Sequence, residues 1–254
     1  MDAPKPNPDP KSLAESLGAQ GSSCPIPFTH DRLKEAHHWW HEMAHYYHEP
    51  EPFRYRLGAF VVAARSVTYM LQKEKDKFDD FEWYEKWVLR AKNDKFLRWL
   101  NDTRTDFIHR QALEPKSYLK MRCIDNPRER HFTDDEDEEG SDIYNVNPFA
   151  CTHYYIGIGW RTDHAHEFTR YWEMDGLSCE VLEACATIHD RLDEIVSEAH
   201  ARLGADVQSY RRTASGHSMP CMDDTTRFRV ICTTVKDGKE TWDYEPPGLH
   251  GHGG

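Results

Sequence analysis

The feature that most constrains the fold is a helical periodicity that occurs four times between residues 29 and 109. In each segment apolar residues recur at steps of three and four, which places them on one face of an α-helix. In the first segment this apolar stripe consists of Leu33, Ala36, Trp40, Met43, Ala44 and Tyr47. Only short polar links separate the segments. Four amphipathic helices with short links predict an up-and-down helical bundle.

Capping residues and prolines predict the ends of these helices. Thr29 is a plausible N-cap for the first helix, and Glu49-Pro50 ends it because the residue before a proline avoids the helical conformation. A soft break at Asn93-Asp94 separates the third helix from the fourth. The four helices are predicted at about residues 29–49, 52–77, 79–92 and 94–109.

Beyond about residue 125 the pattern becomes mixed. Alternating apolar residues predict strands at 152–160 and 166–174, joined by a turn. A long helix is predicted from Leu177 to Leu203 and is closed by Gly204. Asp237-Gly238 predicts a tight hairpin. The expected fold is mostly α: an up-and-down helical bundle followed by a smaller α+β portion with β-hairpins flanking one long helix.

Composition predicts the division of the chain. A disordered tail rich in Pro, Ser and Gly precedes the bundle, an acidic linker follows it, and a flexible tail ends the chain. In order, the tail, bundle, linker, α+β portion and final tail are predicted at residues 1–27, 28–125, 126–148, 149–246 and 247–254.

Composition also limits the classes of function. No apolar stretch is long enough to cross a membrane, and the N-terminus does not resemble a secretory signal. Seven cysteines, none spaced as C-x-x-C, indicate reduced thiols rather than a disulfide framework. The net charge of −12 argues against indiscriminate nucleic-acid binding. We therefore expect a soluble cytoplasmic protein with no membrane partner.

The sharpest candidate for chemistry is an Arg-x4-His spacing, from Arg104 to His109, at the end of the fourth helix. The spacing alone is a weak signal, because Arg and His are frequent in this chain and similar pairs occur elsewhere, such as Arg32 and His37. A structural role is the alternative, in which Arg104 pairs with a nearby acid and His109 is a polar residue favoured by the helix dipole.

Residues 30–113 resemble the HEPN family (higher eukaryotes and prokaryotes nucleotide-binding). The resemblance rests on the short four-helix layout, on FLRWLNDTRTDFIHRQAL, and on aromatic and arginine residues in the preceding helices, such as WYEKW. It implies a metal-independent endoribonuclease, active as a homodimer in a defence or toxin-antitoxin system. One departure is Thr105, since Asn, Asp or His more usually follows the motif arginine.

The implied chemistry uses three residues of the fourth helix. His109 would exchange protons with the ribose 2′-hydroxyl or the leaving oxygen, giving a 2′,3′-cyclic phosphate. Arg104 would stabilise charge on the phosphate, and Asp106 would orient the imidazole. Residues five apart on a helix point about 140° from each other, so two copies of the helix would have to meet at a shared cleft. The RNA backbone is expected to contact Lys92, Lys95, Arg98 and Arg110.

A second constellation is the histidine stripe on the first helix. Glu35-x-x-His38 and Glu42-x-x-His45 have the spacing found in carboxylate-bridged metal bundles, but no other predicted helix supplies a matching pair. A solvated or interface-lining face is therefore preferred. If this face meets a partner, His41 and His45 could contact a nucleotide or a metal.

Other motifs predict no further site. Cys151, His153, His164 and His166 look like ligands in sequence, but a hairpin would hold His153 and His164 about 20 Å or more apart. There is no Gly-rich phosphate loop or His-Glu-x-x-His sequence. We therefore predict no resident metal and no cofactor.

Three functions remain open from the sequence. The first is the ribonuclease, with RNA, a second copy of the chain and an antitoxin or regulatory protein as expected partners. The second is a non-catalytic module that binds a nucleotide, RNA or a protein. The third is a metal-dependent helical-bundle oxidoreductase that uses the histidine stripe.

Overall fold

The structure is a computed structural model of the 254-residue chain. It describes residues 24–109, 112–124, 142–145, 165–205, 219–236 and 239–243.

Four amphipathic helices form the first part of the chain, which confirms the predicted bundle. They are α1 (Pro27–His45), α2 (Pro50–Lys73), α3 (Glu82–Ala91) and α4 (Lys95–His109), with a 3-10 turn at Lys75–Lys77. Asp94 begins α4 by accepting hydrogen bonds from the backbone N–H groups of Phe96 and Leu97, at 2.9 and 3.1 Å. The soft break in the sequence is therefore an N-cap.

The strands form one antiparallel sheet in the order β2-β1-β3-β4-β5. Their bounds are β1 (Lys116–Ile124), β2 (Asp142–Asn145), β3 (Ala165–Glu173), β4 (Val230–Lys236) and β5 (Lys239–Asp243). The predicted pairing of the last two strands is present, with Lys236 opposite Lys239, while the turn residues Asp237 and Gly238 lie outside the described residues. The α+β portion is thus a sheet together with one long helix.

The pairing of β3 differs from the predicted hairpin. β3 pairs with β1 along its whole length and with β4 on its other side. The predicted partner strand at 152–160 lies outside the described residues. β1 begins at Lys116, within the segment that the sequence analysis assigned to the helical bundle. Apolar and polar residues alternate over only a short part of β1, and its partner β3 lies more than 40 residues away in sequence. Local periodicity therefore did not predict β1.

The long helix α5 (Val181–Arg202) joins the two parts of the molecule. It begins where Glu180 accepts hydrogen bonds from two backbone N–H groups, and it is followed by Gly204 with a φ of 66°. α5 packs against α1, and one apolar core contains Trp40 of α1, Trp172 of β3 and Ile188 of α5. The bundle and the sheet therefore share a core.

Among the helices in the described ranges, none has the length and apolarity needed to cross a membrane.

Candidate metal centres

Two clusters of histidine and cysteine side chains lie along the seam between α1 and α5. The helices run antiparallel there. The ring centroids of His30 and His200 are 5.3 Å apart, and those of His37 and His189 are 5.4 Å apart. His30 and His37 are separated by two helical turns, so the clusters lie about 10 Å apart along α1.

The first cluster, called the Cys24 centre, consists of Cys24, His30 and His200. Cys24 precedes α1, His30 lies in its first turn, and His200 lies in the last turn of α5. The Sγ atom of Cys24 is 3.2 Å from Nε2 of His200 and 3.6 Å from Nδ1 of His30. His200 is buried, and the other two side chains are half-buried. The three potential ligand atoms all lie within 4.8 Å of one another.

A hydrogen bond on the far side of the His200 ring orients it as a ligand. Nδ1 of His200 lies 2.9 Å from the carbonyl oxygen of Val196. Because a carbonyl only accepts, Nδ1 is the donor, and Nε2 of the neutral ring directs its lone pair toward Cys24. Histidines that bind metals usually have such a second hydrogen bond.

The electrostatic environment of His30 also favours its coordination to a metal. Burial, followed by the neighbouring charges of Lys34 and His200, lowers the pKa of His30 below its usual value. The lowered pKa favours the neutral imidazole, which is the form that coordinates a metal.

The second cluster, called the Cys221 centre, consists of His37, His41 and Cys221. The two histidines are one turn apart on α1, and Cys221 lies in a 3-10 turn at Pro220–Met222. Nε2 of His37 lies 3.0 Å from Sγ of Cys221 and 3.2 Å from Nε2 of His41. Burial raises the pKa of the Cys221 thiol, whereas coordination to a metal would deprotonate it.

The spacing of these atoms is near that of zinc ligands, and three of the four separations are a few tenths of an ångström shorter, which a bound ion would widen. Nitrogen and sulfur atoms bound tetrahedrally to zinc at about 2.0 to 2.3 Å lie about 3.3 to 3.7 Å from one another. The separations are 3.2 and 3.6 Å in the Cys24 centre and 3.0 and 3.2 Å in the Cys221 centre. Mixed thiolate and imidazole sets favour zinc among common metals. Each centre supplies three ligands and leaves a fourth position for water or another group.

The structure places only part of the predicted ribonuclease motif. Arg104 and Asp106 are half-buried on α4. His109 is the last residue of that helix, and its side chain lies outside the described residues, as does all of Arg110. The proposed meeting of Arg104 and His109 at a dimer cleft is therefore untested and stays a prediction.

Of the other predicted RNA contacts, Lys92 directly follows α3, and Lys95 and Arg98 lie on α4. Lys92, Lys95 and Arg98 are exposed. The Nζ atom of Lys95 donates a hydrogen bond to Oγ of Ser178, at 2.6 Å. Contact of these cations with RNA also stays a prediction.

Of the two histidines suggested as nucleotide or metal contacts, the structure brings one into a cluster. His41 belongs to the Cys221 centre. His45 lies one turn later, and its ring centroid is 4.6 Å from that of Tyr46.

Five members of the two clusters were not predicted from the sequence: Cys24, His30, His37, His200 and Cys221. In each centre the thiol meets a histidine more than 170 residues away, at sequence separations of 176 and 184. Local spacing therefore shows only the pair His37 and His41, one helical turn apart, and neither complete cluster. The other available signal was the presence of His37 beside the apolar face of α1, which α5 covers.

Comparison with known proteins assigns the family and corrects the resemblance inferred from the sequence. The family model described as bacteriophage lambda protein ea47 matches residues 18–244. Protein ea47 of Escherichia phage lambda is 33% identical over 95 residues, which cover 37% of this chain and 23% of that relative. The match thus spans about a quarter of the relative's length. No solved structure matches the chain.

The resemblance to the HEPN family is wrong. The matching model covers all of residues 30–113, on which that resemblance rested, and nothing in the comparisons points to a HEPN domain. A short helical bundle with one Arg-x4-His spacing is too common a pattern to identify a family. Because the matching model extends over the helical bundle and the sheet alike, the chain belongs to the family of bacteriophage lambda protein ea47.

Proposed function

We propose that this chain is a zinc-binding protein with two metal centres, the Cys24 centre and the Cys221 centre. The observation that carries the proposal is the convergence of one thiol and two imidazole nitrogens in each centre, all within 4.8 Å of one another.

The orientation of His200 argues for a ligand rather than an ordinary polar contact. Its Nδ1 proton is committed to the carbonyl of Val196, at 2.9 Å, so Nε2 presents a lone pair to the Cys24 sulfur. A weak hydrogen bond from the thiol to one imidazole nitrogen does not explain why a second imidazole lies at the same point. A cation that accepts all three lone pairs satisfies every group at once.

The position of the centres indicates that the metals hold remote segments together. The Cys24 centre joins the segment before α1 to the end of α5, and the Cys221 centre joins α1 to the turn before β4. Metal bound only by the folded chain stabilises that fold. The thiols must stay reduced to bind it, which favours action in the cytoplasm.

Metal content and its dependence on single residues test the proposal. Purified full-length chain is expected to contain about two zinc ions, measured by elemental mass spectrometry. Cys24→Ser and Cys221→Ser should each lose about one of them. Cys179→Ser removes a half-buried thiol outside both centres, so it is the matched control and should lose none.

A second measurement separates loss of a ligand from loss of the fold. With Co²⁺ in place of zinc, a thiolate ligand gives a charge-transfer absorption band. His37→Ala should weaken this band by about half, and His38→Ala, at the exposed neighbouring position, should leave it unchanged. A wild-type chain that binds neither metal after reconstitution would refute the proposal.

A further inference from the structure

The two faces of the sheet differ in burial. Side chains of directly opposed residues point to the same side of an antiparallel pair. Leu119 and Arg170 are paired and buried against the helices. Tyr118 and Tyr171 are also paired, but they are half-buried on the opposite face. This less buried face, called the open face of the described sheet, therefore presents two tyrosines side by side, on two strands with neighbours on both sides.

A cavity of about 770 Å³ lies at this face, where β1 begins and β3 ends. The segment 174–180, which leads into α5, forms part of its wall. Both tyrosines line it, together with three cationic side chains, Lys116, Lys120 and Arg229. The cavity thus combines aromatic rings with cations, and four acidic residues also line it: Glu173, Asp175, Glu180 and Glu183.

The cations lie close to the Tyr171 ring. The Nζ atom of Lys120 is 5.4 Å from its centroid, and the Cζ atom of Arg229 is 5.7 Å from it. Arg229 is about nine-tenths buried. Its Nη2 atom donates to Oγ1 of Thr225 at 3.0 Å, while its Nε–H has no hydrogen-bond partner among the described residues.

Acidic side chains on the rim limit the charge of the cavity. Lys116 pairs with Asp175 at 3.0 Å, with both side chains exposed, and Arg229 lies 3.7 Å from Glu183. Glu173 stands opposite Lys116 on the sheet. Because these acids offset the three cations, a ligand of this cavity has to gain affinity from ring stacking and not from charge alone.

We propose that this open sheet face binds single-stranded nucleic acid. A base would stack on Tyr171 or Tyr118, and the adjoining phosphates would lie near Lys120 and Arg229. Stacking on aromatic side chains is the usual way in which proteins bind single strands, with cations following the backbone. A duplex keeps its base faces stacked inside the helix, so it cannot use the tyrosines. The overall charge of −12 disfavours binding by charge alone.

The proposal is independent of the metal centres and is tested with the full chain. Fluorescence anisotropy would measure binding of labelled ten-residue oligouridine, oligothymidine and a mixed-sequence duplex. We expect either single strand to bind at least about 10-fold more tightly than the duplex. Tyr118→Ala and Tyr171→Ala should each weaken single-strand binding by about 10-fold or more. The control is Tyr69→Ala, at an exposed position on α2, which should bind as the wild type does.

If an alanine variant unfolds, conservative variants still test the proposal. Tyr171→Phe keeps the ring and should retain most of the affinity. Lys120→Gln should reduce the salt dependence of binding by about one phosphate contact. The proposal is overturned if no single strand binds at about 0.1 mM, if the duplex binds as tightly, or if uridine monophosphate alone binds as tightly as the oligomer. Equal losses in Tyr171→Phe and Tyr171→Ala would also overturn it.

Cys24→Ser and Cys221→Ser distinguish the two proposals. Both variants should bind single strands as the wild type does, whether or not they have lost metal. Loss of nucleic-acid binding in these folded variants, with the tyrosine variants unaffected, would place the binding surface elsewhere.

Discussion

At the scale of single residues, burial changes the protonation of Glu180. Its Oε2 atom caps α5 by accepting from the N–H groups of Leu182 and Glu183, at 2.8 and 3.2 Å. The hydroxyl of Tyr47 is close to both the carbonyl of Arg170, at 3.0 Å, and Oε1 of Glu180, at 3.1 Å. The Tyr47 hydroxyl donates in both contacts, so the Glu180 carboxyl accepts from Tyr47 as well as from the two backbone N–H groups.

Glu180 should therefore make the stability of the chain depend on pH. Burial raises the pKa of Glu180 from about 4.5 to about 7, against the opposing charge of Arg229. Between these values only the unfolded chain releases the proton, so stability falls as pH rises, by about 3 kcal/mol in total. Urea denaturation of Glu180→Gln should lack this decline, whereas Glu183→Gln should keep it. An identical decline in Glu180→Gln would show that another group is responsible.

At the scale of elements, the contact between α2 and α4 depends on the absence of a side chain at Gly58. A Cβ atom at this position would lie 2.7 Å from Cζ of Phe107. Gly58→Ala should therefore lower the free energy of unfolding by about 1 kcal/mol, although alanine is the better helix former. In the background of Phe107→Leu the same change should become neutral or stabilising. Chemical denaturation of the four chains would measure this reversal, and stabilisation by Gly58→Ala alone would contradict it.

At the scale of elements, the sequence predicted the helices but not the contacts between remote residues. Helical periodicity located α1 to α5, because each buries one stripe, as Leu33 and Trp40 do on α1. Thr29 was predicted to cap α1, but the helix begins at Pro27. The N–H and Oγ1 of Thr29 instead donate to Glu74, at 2.9 and 2.6 Å. That partner is 45 residues away, and local pattern carries no information about it. The two candidate metal centres were not predicted for the same reason, since each joins residues more than 170 positions apart.

At the scale of the whole molecule, tryptophans tie the bundle to the rest of the fold. Nε1 of Trp40 donates to the carbonyl of Leu182 at 2.9 Å, which joins α1 to α5. Nε1 of Trp172 on β3 donates to the carbonyl of Tyr47 at 2.8 Å, and its ring stacks on Phe53 at 4.4 Å. The two parts that the sequence divided into separate regions therefore bury one continuous core.

A shared core predicts cooperative unfolding. Trp172→Ala should cost about 3 to 5 kcal/mol and should lower the midpoint of helix loss as much as that of tertiary structure. Far-ultraviolet circular dichroism and tryptophan fluorescence would follow the two transitions in urea. Leu89→Ala, at a side chain that is 62% exposed, is the control and should change little. Two separated transitions in the wild type would show that the bundle and the sheet are independent units.

Removal of metal should weaken the whole molecule, because each centre joins residues that are far apart in sequence. Cys24 and His200 are 176 residues apart, and His37 and Cys221 are 184 residues apart. A metal that binds only the folded chain, at about 100 times its dissociation constant, adds about 2.7 kcal/mol. For a chain of this size that amount corresponds to about 5 to 10 °C in melting temperature.

Phenanthroline should therefore lower the melting temperature of the wild type by at least this amount, and added zinc should restore it. In a variant with both Cys24→Ser and Cys221→Ser the chelator should have no effect. A wild-type melting temperature that does not respond to chelator would show that these clusters stabilise the fold without a metal.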